Sequence, residues 1–240
     1  MTPRYVLPTV LAICALGLPA CDWMPGRPKK ADRWVAPEEV ADFGKLYAGN
    51  CLGCHGLGGV TGASIAMDNP VFLSVIPRET LSEVVSKGVH GTAMPGFSKA
   101  AGGTLTKEQI EIIVNSLIAK KPAVPPGAAL PPYSAPLGDV ARGAQVFAAS
   151  CASCHGAAGD GGDKARSVVN AAFLGLVSDQ YLRTIAIAGR PDLGCPDFAN
   201  RTPGKPMTDA DISDVTAWLV SHRKNEFGQP LVAPQGNPQP

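Results

Sequence analysis

The string C-x-x-C-H occurs twice, as Cys51-Leu-Gly-Cys54-His55 and Cys151-Ala-Ser-Cys154-His155, with the first cysteines 100 positions apart. The spacing serves one chemistry well. Two intervening residues put both sulfurs along one edge of a porphyrin, where they add across the vinyl groups as thioethers. The adjoining imidazole then reaches the iron from below. A zinc ribbon needs two further cysteines at pairing distance, and the sequence has none. A redox dithiol belongs in a βαβ pattern, whereas the flanks here have helical periodicity. Covalent attachment of two haems is the reading that accounts for both copies.

The surroundings of the motif repeat with it. Gly44 to Cys51 matches Gly143 to Cys151, Asn69 to Leu73 matches Asn170 to Leu174, and Gly88 matches Gly189. Leu105 to Ile110 matches Met207 to Ile212, so the offset grows only from 100 at the cysteines to 102 at the last element. A duplicated unit of this size suits a domain whose core is completed by a prosthetic group. Within each unit the apolar residues fall at helical period. Val40, Phe43, Leu46 and Tyr47 precede the first motif, and Pro37 suits a first helical position there. A Gly-rich loop follows each motif. Middle helices are expected over Thr80 to Lys87, stopped by Gly88, and over Asp179 to Ala188, stopped by Gly189. A last helix opens on a Thr106/Gln109 capping box and carries Ile110, Ile113, Val114, Leu117 and Ile118 on one face. Its partner opens at Thr208 and carries Ile212, Val215, Leu219 and Val220. No segment alternates as a strand does, so the fold class is all-α.

Composition limits the partners. The chain has 21 Lys+Arg against 20 Asp+Glu. Removal of Arg4 with a leader leaves a neutral polypeptide, and haem propionates would make it mildly acidic. A nucleic-acid partner, which calls for a basic stripe, is not expected. The start reads as an export signal: Arg4, then an apolar run from Val6 to Leu18 that would span roughly 20 Å as a helix, too short for a bilayer. Its end, Leu18-Pro19-Ala20-Cys21, resembles a bacterial lipobox with Cys21 as the lipidated residue. Ordinary cleavage or an uncleaved anchor are the alternatives, and Pro19 departs from the small residue usual there. Of seven cysteines, Cys14 leaves with the leader, Cys21 takes lipid and four hold haems; Cys195 is left over. Between the units, Lys120 to Pro136 contains six prolines and reads as an extended spacer.

Each repeat resembles a class I cytochrome c domain. The resemblance covers about residues 37–120 and 138–223. It implies an all-α fold of two tandem class I cytochrome c domains around covalent haems, joined by a Pro-rich linker. The expected organisation is a signal peptide over 1–20, a lipid-anchored tether over 21–36, domains over 37–120 and 138–223, a linker over 121–137 and an irregular tail over 224–240. It implies proximal ligation by His55 and His155, and a distal methionine in a loop before the last helix. In the first domain that is Met94, in Ala-Met-Pro-Gly-Phe97. Met67 and His90 are the weaker candidates. In the second domain Asp192-Leu-Gly-Cys195-Pro-Asp-Phe198 stands opposite Gly91-Thr-Ala-Met94-Pro-Gly-Phe97, so Cys195 replaces the methionine. Met207 matches Leu105 and reads as core. Three roles compete for Cys195: axial thiolate, free thiol beside an otherwise ligated or five-coordinate haem, and disulfide partner of another protein.

Cofactor binding is therefore expected at Cys51, Cys54, His55, Met94, Cys151, Cys154, His155 and Cys195, with two covalently bound haem c groups. The iron ligands would be His55, Met94, His155 and Cys195, with no catalytic residue. The implied function is passage of single electrons between redox proteins, or within a membrane electron-transfer complex. The place is the periplasmic side of the bacterial inner membrane, where the lipid on Cys21 holds the chain. The alternative is a haem enzyme oxidising a sulfur compound such as thiosulfate, with Arg183, Arg190, Arg201 and Lys205 flanking Cys195 as anion-binding candidates. A further alternative is a haem/thiol redox sensor.

Overall fold

A computed structural model describes residues 33–58, 61–123 and 129–224, together with Gly26 and Lys29. The expected leader, Cys21 and the tail after 224 lie outside the described residues. The described residues up to Glu39 form one compact unit and those from Val40 onward another. In the first unit, Pro37–Glu39 is a short 3-10 helix. Pro37 therefore does not open the helix that leads to the motif. That role falls to Asp42, whose carboxylate accepts from the Lys45 N–H at 2.8 Å.

The larger unit contains both repeats. The first copy runs α1 (Phe43–Asn50), α2 (Leu52–His55), α3 (Pro70–Val75), α4 (Arg78–Lys87) and α5 (Lys107–Ile118). The second copy runs α6 (Val140–Ser150), α7 (Ala152–His155), α8 (Ala171–Leu176), α9 (Asp179–Ala188) and α10 (Asp209–Ser221). Among the described residues there are isolated bridges but no named strand, and no helix is long and apolar enough to cross a membrane.

Local chemistry explains the boundaries. The Thr106/Gln109 capping box forms with both of its hydrogen bonds, and Thr208 forms the same device with Asp211. α4 stops at Gly88 and α9 at Gly189, at φ +73° and +65°. The short helices α3 and α8 interrupt segments that read as loop. Asn69 accepts from the Val71 and Phe72 N–H groups, and Asn170 from that of Phe173.

In each copy the first and last helices cross, α1 on α5 and α6 on α10. The second crossing is tight, since a Cβ at Gly143 would lie 2.1 Å from the Asp214 carbonyl oxygen. Phe147 and Trp218 stack there with ring centroids 4.2 Å apart. Leu73, Ile113 and Val114 are fully buried in the first core, and Ile187 and Ile212 in the second. Each such side chain contributes about 1.5–3 kcal/mol relative to exposure.

The two cores also meet. α3 of the first copy packs on α9 of the second, and Val71 and Val75 join the second cluster while Ile185 and Ala188 join the first. Two hydrogen bonds cross the same boundary. The Asn69 amide donates to the Ala188 carbonyl at 3.2 Å, and the Ala93 N–H to the Leu176 carbonyl at 3.2 Å. The described part of the spacer is strapped down as well, because Arg183 donates to the carbonyls of Pro132 (2.8 Å) and Tyr133 (3.2 Å).

Candidate functional site

Each attachment motif is a single helical turn that continues from the helix before it. Cys51 closes α1 by donating its N–H to the Tyr47 carbonyl, and its own carbonyl then accepts from Cys54 (3.2 Å) and His55 (2.9 Å). Cys151 repeats the pattern with Cys154 and His155, both at 3.1 Å. Residues three and four apart share a helix face, so each turn gathers two thiols and an imidazole on one side. The five described cysteines form no disulfide. Burial pushes the Cys51 thiol up to about 11, and burial likewise raises Cys151. Among the described residues no group of three or more His, Cys, Asp or Glu is placed to hold a bare metal ion.

The two imidazoles are oriented alike. His55 Nδ1 lies 2.8 Å from the Ile65 carbonyl oxygen, and His155 Nδ1 lies 2.8 Å from that of Arg166. A carbonyl only accepts, so Nδ1 carries the hydrogen in both rings. That leaves Nε2 to face the site, as a metal ligand requires; in the second copy the ring also meets the Cys195 thiol, and this contact is the main cause that raises the proton affinity of His155. Burial is the main cause that lowers the proton affinity of His55, and the nearby positive Arg190 adds to it. These carbonyl partners have no signature in the sequence, because every residue carries one.

The residues expected as distal ligands occupy equivalent hairpins. The Val89 N–H donates to the Met94 carbonyl at 2.9 Å, and the Arg190 N–H donates to the Cys195 carbonyl at 2.8 Å. Both hairpins fold back onto the helix-stopping glycine. A Cβ at Gly88 would lie 2.7 Å from the Met94 carbonyl oxygen, and one at Gly189 would lie 2.6 Å from that of Cys195. Only glycine fits both the approach and the positive φ.

In the second copy a cavity open to solvent is lined by His155, Cys151, Cys195, Phe147, Leu182 and Arg201, with Met207 also on its wall. Arg201 Nη1 approaches Cys195 Sγ at 3.4 Å, and its Nη2 donates to the carbonyls of Ile185 (3.3 Å) and Ala186 (3.1 Å). Arg201 Nε is buried without a partner. A buried N–H of this kind calls for an acceptor the polypeptide does not supply, and a haem propionate is one. Burial alone would raise the Cys195 thiol; contact with His155 and the charge of Arg201 outweigh it and bring it down to about 7.

Comparison with known families agrees with this geometry. Residues 38–115 match the family model of cytochrome C oxidase, cbb3-type, subunit III, and residues 140–223 match that of cytochrome c. The chain is a tandem cytochrome c. Covalently bound haem c and one-electron transfer follow from that membership. No curated protein matches. Among solved structures, a chain of the reducing HAO-like protein complex of Kuenenia stuttgartiensis is 20% identical, with a TM-score of 0.42, covering 80% of this cytochrome and 100% of that chain.

The remaining candidates in this cytochrome sort by burial. Met67 is packed in the first core and His90 is exposed. Met207 is buried, and its N–H donates to the Phe198 carbonyl as that of Leu105 does to Phe97, each at 2.9 Å. Of the four basic residues that flank Cys195 in sequence, two are committed elsewhere. Arg183 pairs with Asp209, and Arg190 with Asp192. Lys205 is exposed, and Arg201 meets the thiol.

Proposed function

We propose that this cytochrome is a dihaem electron carrier. In this reading lipid on Cys21 holds it at the periplasmic face of the bacterial inner membrane, and it passes single electrons between redox proteins there. Cys51 and Cys54 would bind the first haem c, with His55 and Met94 as its axial ligands. Cys151 and Cys154 would bind the second, with His155 and Cys195. The observation that carries the reading is the second cavity: an imidazole held by Nδ1 to a backbone carbonyl, and meeting it the thiol of the Met94-equivalent hairpin.

Haem c supplies a reversible one-electron couple when bound. The chain supplies ligands on both faces, an apolar wall and a counter-charge. A cysteine coordinated as thiolate stabilises the ferric form more than the neutral Met94 thioether does. The second site would then lie at lower potential, and electrons would run downhill from the second copy to the first.

Ferric-state spectroscopy of the purified protein tests the ligand assignment. One His/Met and one His/thiolate signature are expected, and two His/Met signatures would overturn it. For the anchor, a Cys21→Ser variant is expected to leave the membrane fraction; unchanged retention would reject it. Oxidation of a sulfur compound such as thiosulfate at the second site is the competing reading. The contact of Arg201 with Cys195 favours it, and turnover of thiosulfate by the pure protein would establish it.

A further inference from the structure

The repeats part company at the residue that follows the helix-stopping glycine. In the first copy it is Val89; in the second it is Arg190. Both donate a backbone N–H to the distal residue's carbonyl, and Arg190 also accepts on its own carbonyl from the Cys195 N–H at 2.9 Å. Arg190 is thus one rung of the hairpin that carries Cys195. Its side chain, however, leaves the second copy. Nη2 donates to the Gly62 carbonyl at 2.7 Å and Nη1 to the Ala63 carbonyl at 3.3 Å.

That loop belongs to the proximal side of the first site. A Cβ on Gly62 would lie 2.3 Å from the Cys54 carbonyl oxygen, and the Ser64 N–H donates to that same carbonyl at 2.7 Å. The next residue, Ile65, holds the His55 Nδ1 hydrogen. The Arg190 side chain is only 8% exposed, so its charge is weakly screened. Asp192 partly balances it through a two-point pair, with Oδ1 2.9 Å from Nε and Oδ2 2.7 Å from Nη2. At the first copy's equivalent position Val89 makes no such link, so the device runs one way, from the second hairpin to the first motif.

We propose that Arg190 is a positioning residue that ties the distal hairpin of the second haem site to the proximal loop of the first. Its charge, tempered by Asp192, raises the reduction potential of the first haem. This rests on the dihaem reading above. The sign follows from electrostatics, since a cation beside the site disfavours the ferric form, which carries one more positive charge. Removing one unit charge from this weakly screened position is expected to shift the one-electron equilibrium by about tenfold, about 59 mV.

The test is a spectroelectrochemical titration of the full-length holoprotein, with haem content measured on each sample. Arg190→Met is expected to lower the potential of the His/Met haem by about that tenfold step. Asp192→Asn is expected to raise it, and Arg190→Lys to hold it near the wild-type value. A loosened interface alone cannot produce opposite signs from the two halves of one ion pair. An unchanged potential in both Arg190→Met and Asp192→Asn, or shifts of the same sign, with two haems per chain, would overturn the proposal. If Arg190→Met does not fold, Asp192→Asn and Arg190→Lys still decide it. Wild-type protein with fewer than two haems would defeat the dihaem reading first, and this inference with it.

Discussion

Under the proposed thiolate ligation, replacing Cys195 with methionine removes a negative charge from the distal face of the second site while keeping sulfur there. Met94 already occupies the corresponding hairpin in the first copy, so the backbone accepts a methionine in that setting. A coordinated sulfur acts on iron from within about 4 Å, where a unit charge at an effective dielectric of about 20 is worth about 4 kcal/mol. For one electron that corresponds to a rise of about 170 mV. The Arg201 guanidinium, 3.4 Å from Sγ, offsets part of the thiolate charge in the wild type. The measured rise should therefore fall at or below that figure, about 100–170 mV. A redox titration followed in the visible spectrum reads both haems at once. The first haem, for which His55 and Met94 are the proposed ligands, acts as the internal reference and should not move. A Cys195→Met protein with both potentials at their wild-type values would refute thiolate ligation, and with it the downhill direction from the second copy to the first.

Gly189→Ala would force a Cβ to 2.5 Å from the Pro196 carbonyl oxygen at a positive φ. It should cost about 1–3 kcal/mol and perturb the second haem's ferric spectrum, whereas Gly175→Ala, with nothing within 4 Å, should leave both unchanged; melting curves and ferric spectra check this. Arg183→Met leaves the Pro132 and Tyr133 carbonyls and the Ser213 hydroxyl without their donor, so a loss of about 2–3 kcal/mol is expected, read as a fall in Tm of about 4–12 °C. The Arg190 pairing holds the Asp192 carboxyl below its ordinary value of 3.8. Its contribution to stability is therefore complete above that unfolded-state value and is lost as pH falls through the lower folded-state value. Asp192→Asn should remove this component from acid-unfolding curves, with no change in pH dependence above about 5.

Much of the fold was legible because the relevant forces are local. Gly88 and Gly189 stop helices where the sequence places them, and the Thr106/Gln109 box forms as spelled. The short helices α3 and α8 were missed because six residues are too few for a period to show. Their signal was an asparagine N-cap, joined in α3 by a proline at the first helical turn. Pro37 misled for the opposite reason: a proline fits a first turn, but it opens a 3-10 helix, and Asp42 caps the true start. The substitution of Cys195 for methionine was visible by laying one repeat on the other, and the hairpin bonds give the two residues the same backbone setting. The second cavity could not be seen that way, because Arg201 and Met207 reach it through the fold. Arg183 and Arg190 looked like anion binders from their place beside Cys195. Burial and pairing give them other work, and burial depends on which helices meet rather than on neighbours in the chain.

The union of the two copies bears on timing. α3 lies on α9, hydrogen bonds from Asn69 and Ala93 cross the boundary, and residues 132–133 of the spacer are fastened by Arg183. A carrier whose domains swing on a loose hinge must wait for a productive encounter, and its internal rate slows as the solvent thickens. Here the halves have already met. Under the dihaem reading, exchange between the two sites becomes a fixed-distance event indifferent to viscosity, and diffusion controls only the arrival and departure of the partners.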